Sequence, residues 1–272
     1  LAARFPPDNV QYSKFDAKGT IMARDADAVD RSPDAPAVNT AIVATIGLHG
    51  SASTWVYNVV RELFLASCGE TGSRAVYADR LDELPIDFGD ARRVVIKSHH
   101  GSPELDDWLR ARGAARILSL RDPRDAALSM AQRFRTPLQH TVAWLLTDCR
   151  RMAGVLQDAH LRLTYEERFF DQPATVFRIA ASLDLRPDPA VALDIFARYA
   201  TDAVRAFAAR IPELPPERIN KIPASTYDQV THIHQTHIGD ARSGKWRDLD
   251  AGTQEALTKV FMPFLEKFGY PP

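Results

Sequence analysis

The stretch that decides the fold is Ala41-Ile42-Val43-Ala44-Thr45-Ile46-Gly47-Leu48-His49-Gly50-Ser51-Ala52-Ser53-Thr54-Trp55. Residues 41–46 form a short apolar run, the pattern of a parallel strand buried on both faces. A loop containing Gly47 and Gly50 follows. Beyond it Val56, Val59, Val60, Leu63, Phe64 and Ser67 recur at helical spacing, with Ser51 or Ser53 available as the N-cap. A strand, a loop and a helix in that order aim backbone N–H groups and the helix dipole at one point, which suits an anion. The hydroxyls of Ser51, Ser53 and Thr54 can add donors, and Gly50 lets the backbone approach a phosphate or sulfate closely. Taken alone, the segment is equally readable as a plain strand-to-helix turn. It lacks the Gly-Lys-Ser/Thr ending of the nucleotide-triphosphatase loop and the three spaced glycines of the dinucleotide fingerprint.

Working outward, further buried strands are predicted at Val94–Ile96, Ile117–Leu120 and Leu161–Tyr165, each separated by enough chain for a crossover helix. Helices are predicted over 124–134, 141–157, 172–183, 189–209 and 253–268, with a kink at Pro263 in the last. The fold class is therefore α/β, with a P-loop-like central parallel sheet flanked by helices. Residues 1–39 read as an N-terminal extension ending in the turn-rich Asp30-Arg31-Ser32-Pro33-Asp34-Ala35-Pro36, and residues 40–272 as one domain.

Composition narrows the function. With 272 residues, 45% of them apolar, the chain can bury a large core, and 34 basic against 35 acidic residues give no global field for nucleic acid or anionic membrane. No apolar run approaches membrane-spanning length. Cys68 and Cys149 form no Cys-x-x-Cys pair, as expected of a reduced, cytoplasmic protein.

Other segments carry recognisable chemistry. Arg121-Asp122-Pro123-Arg124-Asp125 follows a predicted strand and is followed by Ser129; the Arg offers a planar fork for phosphate and the Ser faces back toward it from the next helix. Lys97-Ser98-His99 also closes a strand. With the loop from Gly50 to Trp55, these resemble the cytosolic-type sulfotransferases that use 3′-phosphoadenosine-5′-phosphosulfate (PAPS), whose signatures are Lys-Ser-Gly-Thr-Thr-Trp, Lys-Thr-His and Arg-Asn/Asp-Pro-Lys/Arg-Asp with a spaced Ser. Tyr165-Glu166, Ser225-Thr226-Tyr227 and Arg242-Ser243-Gly244-Lys245-Trp246-Arg247 are similar to three further segments of that family, in the same order along roughly 40–268.

The resemblance implies a sulfotransferase-type domain moving a sulfuryl group from PAPS, with PAP as product, to a hydroxyl or amine of a small-molecule or glycan acceptor. It assigns His99 as general base and Lys97 as its assistant at the phosphosulfate. The donor would lie along His49, Gly50, Ser51, Ala52, Ser53, Thr54 and Trp55, with Arg121, Ser129 and Arg242 (beside Ser243 and Gly244) at the 3′-phosphate and Trp55, Tyr165 and Tyr227 around adenine. No metal is required. The loop Lys of the family falls at Gly50, so its charge has to come from His49, Lys97 or another cation. The acceptor and the oligomeric state are left open.

Bland readings stand beside these. His99 can be an ordinary strand-end His, His100 can be the base if the register differs by one residue, and Trp55 can be core. His232-x-His234-x-x-His237 invites a metal, but nothing nearby completes it, and a polar loop bordering the cleft is the plainer reading. Arg92-Arg93 and Arg150-Arg151 read as solvated basic pairs. The rival functions are a P-loop-like phosphoryl transferase and a non-catalytic nucleotide-binding protein on the same fold.

Overall fold

The computed structural model describes residues 41–272 apart from 86, 223, 224 and 237. The extension read over 1–39 lies outside the described residues, as does His237. Five parallel strands, β1 (Ala41–Gly47), β2 (Ser73–Tyr77), β3 (Arg93–Ser98), β4 (Ala115–Leu120) and β5 (Leu161–Thr164), form a sheet in the order β2-β3-β1-β4-β5. Helices α1 (Ser53–Cys68), α2 (Pro103–Ala111), α3 (Pro123–Phe134), α4 (Leu138–Val155), α5 (Ala174–Ser182), α6 (Pro189–Tyr199), α7 (Thr201–Ala209) and α8 (Ala251–Phe268) accompany it, and a hairpin pairs β6 (Ile219–Ile222) with β7 (Ser225–Asp228). The architecture is the expected α/β one.

The strands are apolar throughout because each face meets a different core. Ile42, Ala44 and Ile46 enter one cluster with residues of α3, α4 and α8; Val43 enters the other with residues of α1, α5 and α6. Strand periodicity sorts β3 the same way, with Val94 and Ile96 on one side and Val95 on the other. None of the described helices is long and apolar enough to cross a membrane.

Several boundaries differ from the sequence expectation. The edge strand β2 was not predicted, since Ser73, Arg74, Ala75, Val76 and Tyr77 offer little apolar pattern. Helix α2 starts on a Ser102–Pro103 cap. The helix predicted over 189–209 is two: Ala200 is extended (ψ 147°), and Thr201 Oγ1 donates to Asp171 Oδ1 at 3.1 Å, turning the chain. α8 carries Pro263 within its span.

β1 and β4 are neighbours whose chains leave toward opposite sides of the sheet. Such a switch point opens a crevice at the carboxyl ends of the strands, where open α/β sheets bind ligands. Registers of Thr45 with both Lys97 and Ile117, and of Gly47 with Ser119, bring the ends of β1, β3 and β4 level there.

Candidate active site

At that crevice lies a cleft of 730 Å³. Its floor is the loop between β1 and α1. Gly47 must be glycine, because a Cβ would fall 2.1 Å from Ser119 Oγ and 2.6 Å from Ser53 Cβ; Gly50 turns the loop at φ +79°. Neither Ser51 nor Ser53 caps α1. The N-cap is Ala52, left-handed at φ 60°, with no side-chain cap bond. Ser51, expected to face a ligand, instead turns inward, donating to the Leu48 carbonyl at 2.6 Å and sharing a 2.9 Å hydrogen bond with Ser119 Oγ. The first turn of α1, with Ser53 and Thr54, is thus left facing the cleft without a side-chain cap.

Lys97 and His99 reach the cleft from the end of β3. His99 Nδ1 lies 2.6 Å from the Gly47 carbonyl and must donate to it, which leaves the Nε2 lone pair 2.9 Å from Lys97 Nζ. Burial holds His99 well below the ordinary imidazole range and lowers Lys97 to about 7. His100 turns away: its Nδ1 lies 2.6 Å from Asp148 Oδ1, and Trp144 Nε1 donates to its Nε2. Burial pulls His100 down, yet contact with Asp148 outweighs it and the net direction is upward. His49 takes the other oxygen of Asp148 at 2.6 Å and stacks on His99 with ring centres 3.9 Å apart.

Two carboxylates that sequence reading missed hold this arrangement. Asp148 on α4, buried, serves both His49 and His100. Asp79 Oδ1 accepts from Ser98 Oγ (2.7 Å) and from the backbone N–H of His99 (2.7 Å), His100 (2.9 Å) and Gly101 (3.3 Å). Burial would raise its pKa, but these donors and Tyr77 bring it down to about 2. Neither residue lies in a recognisable motif; only the fold reveals them.

His49, His99 and Asp148 come close enough to be considered as metal ligands. Their donors are otherwise engaged, His99 with Gly47 and Lys97 and His49 with Asp148, and Lys97 Nζ occupies the space beside Nε2.

At the other end, buried Arg121 sends Nη1 to the Gly50 carbonyl (2.8 Å) and Nη2 to the Arg242 carbonyl (3.0 Å), and its guanidinium lies 4.0 Å over the Tyr165 ring. Its Nε is inaccessible and bonds nothing in the described residues. Ser129 stands beside it: a Cβ on Gly50 would lie 3.7 Å from both Arg121 Nη1 and Ser129 Cβ. Trp55, Tyr165 and Tyr227 all line the cleft, Trp55 packing its edge against Phe169 at 5.7 Å.

The segment after 240 departs from the sequence reading. Arg242 is exposed and its side chain pairs with Asp248, so it contributes a carbonyl rather than a cation. Ser243 and Gly244 do not line the cleft. Lys245 does, 3.0 Å from Asp240. Asp125 fixes the segment by accepting from the N–H groups of Gly244 and Trp246, the latter at 3.0 Å. Arg151, read as solvated, is buried and joins Asp106 and Ser98.

No protein-family model matches the chain, and no curated protein matches it in sequence. Solved structures do match in fold. They include the mouse sulfotransferase SULT7A1 complexed with PAP, at TM-score 0.57 and 13% identity over 84% of each chain. Retinol dehydratase in a complex with retinol and PAP matches at TM-score 0.54 and 14% identity, over 85% of this chain and 82% of that one. The same enzyme with androsterone and inactive cofactor PAP matches at 0.52 and 14%, with equal coverage. With its five-stranded parallel sheet and flanking helices, the chain has a sulfotransferase-type domain fold.

Proposed function

We propose that this protein transfers a sulfuryl group from PAPS to a hydroxyl or amine of an acceptor. The observation that carries the reading is convergence: the N-terminus of α1, Lys97 with His99, and Arg121 with Ser129 all line one cleft at the switch point of a fold whose solved examples hold PAP. Arg121 and Ser129 take the 3′-phosphate, and Trp55, Tyr165 and Tyr227 surround adenine. His99, neutral and with Nδ1 committed to Gly47, accepts the acceptor's proton at Nε2. The acceptor oxygen then bonds to sulfur as the bond from sulfur to the bridging oxygen breaks. Charge left on the 5′-phosphate is met by the α1 amides, Ser53, Thr54 and Lys97.

The test is direct. PAP should raise the melting temperature, and His99→Ala should keep that effect while losing transfer from labelled PAPS in a screen of mixed acceptors. No stabilisation by millimolar PAP would remove the reading, and stabilisation without transfer to any acceptor would leave a nucleotide-binding protein.

A further inference from the structure

Arg133 is a cation that the donor reading does not use. Among the described residues five cationic side chains line the cleft, Lys97, Arg121, Arg133, Arg135 and Lys245, against one acid, Asp240. Lys97 faces His99, Arg121 spans two carbonyls, and Lys245 pairs with Asp240. Arg135 is exposed at the C-terminus of α3. Arg133 is half-buried, lies against the Phe134 ring at 4.9 Å, and its inaccessible Nε has no hydrogen-bond partner in the described residues. Burial lowers it to about 10, so it stays charged at neutral pH. A guanidinium partly withdrawn from water, with a sealed-off Nε and no counter-charge among the described residues, is costly, and an anionic ligand reduces that cost.

Its position says which ligand. Arg133 follows Ser129 by one helical turn, on the same face of α3 but farther from the loop. It lines the same cleft as Lys97 and His234, and its charge adds to the burial that lowers both. The walls there are flat: Trp144 stacks on Phe134 at 5.5 Å, and Tyr227 on His234 at 4.7 Å.

We propose that the acceptor is an anionic, ring-bearing molecule, with a carboxylate or sulfate held by Arg133 while its hydroxyl or amine meets His99. This rests on the sulfuryl-transfer reading above. The chemistry is unchanged: the acceptor heteroatom bonds to sulfur, its proton passes to His99, and PAP leaves with the electrons of the broken bond. A neutral acceptor would cover the half-buried Arg133 charge and leave it unpaired, which is discrimination by penalty.

The experiment compares 4-hydroxybenzoate with its neutral isostere 4-hydroxybenzamide by titration calorimetry, with and without PAP. We expect the carboxylate to bind at least about tenfold tighter, Arg133→Gln to abolish the difference and Arg133→Lys to restore part of it. No preference for the carboxylate, binding of neither probe included, overturns the proposal. So does an Arg133→Gln protein that loses PAP affinity instead, since Arg133 would then serve the donor. In the labelled-PAPS screen the products should carry an acid besides the new sulfate; transfer to neutral acceptors alone overturns the proposal while leaving the sulfotransferase reading intact. A protein that prefers the carboxylate yet never binds PAP does the reverse.

Discussion

Asp79 holds His99 by its backbone: one carboxylate oxygen of Asp79 accepts the His99 N–H at 2.7 Å and gathers the N–H groups of His100 and Gly101 as well. The imidazole is aimed from its main chain, before its own bond to the Gly47 carbonyl is counted.

Asp79→Asn keeps the shape but removes the charge that these donors converge on. We expect a loss of about 1–3 kcal/mol of stability and a fall in turnover larger than the fall in PAP affinity. Denaturant titration, single-turnover kinetics and calorimetry separate the effects; equal losses of turnover and PAP affinity would contradict a positioning role.

Lys97 titrates at about 7 in the fold, against an ordinary value of 10.5. Between those values the unfolded chain binds more protons, so this residue's contribution to stability rises with pH from 7 to 10.5, and its penalty is complete below 7. Lys97→Met should stabilise the PAP-free protein at pH 6 by up to about 4 kcal/mol, by less at pH 9, and should abolish transfer. Urea titrations at the two pH values check the sign.

Arg121→Lys should weaken PAP roughly a hundredfold and cost stability, because the Gly50 and Arg242 carbonyls lose a fork that reaches both. Ser129→Ala should cost about tenfold in affinity alone. Arg242→Ala should change PAP affinity less than about twofold, since its side chain faces Asp248 at the surface. A large effect of Arg242→Ala by calorimetry would return it to the 3′-phosphate.

Arg124 is fully buried, paired with Asp122 and stacked 3.7 Å from Trp246. Arg124→Met should cost about 3–5 kcal/mol, because it strands the Asp122 carboxylate. PAP affinity of the folded fraction should hold. Melting curves with and without PAP test both statements.

Much of this was legible in the chain because strands and phosphate loops are local. The run 41–46, the strand ends before Lys97 and Arg121, and the Ser129 spacing each use residues within a few positions of one another. Asp79, Asp148 and Trp144 were not legible. They act on His99, His49 and His100 across the sheet, and a carboxylate that receives backbone N–H groups leaves no trace in residue spacing. The placement of the Arg242 side chain was illegible for a related reason: its surface partner Asp248 competes for the guanidinium, which a motif does not record. Arg133 sat in plain view at one turn from Ser129, and only the accounting of partners set it apart from the other basic residues.

The pentapeptide from Arg121 to Asp125 divides its labour unevenly. Arg121 alone faces the cleft; Asp122 caps α3 and pairs with Arg124, and Asp125 ties down the 244–246 turn. A descendant that had abandoned the proposed transfer would still have reason to keep most of these residues, because losing them costs stability. Across distant relatives, then, this signature marks the scaffold, whereas Lys97 with His99 is the better witness for the proposed transfer.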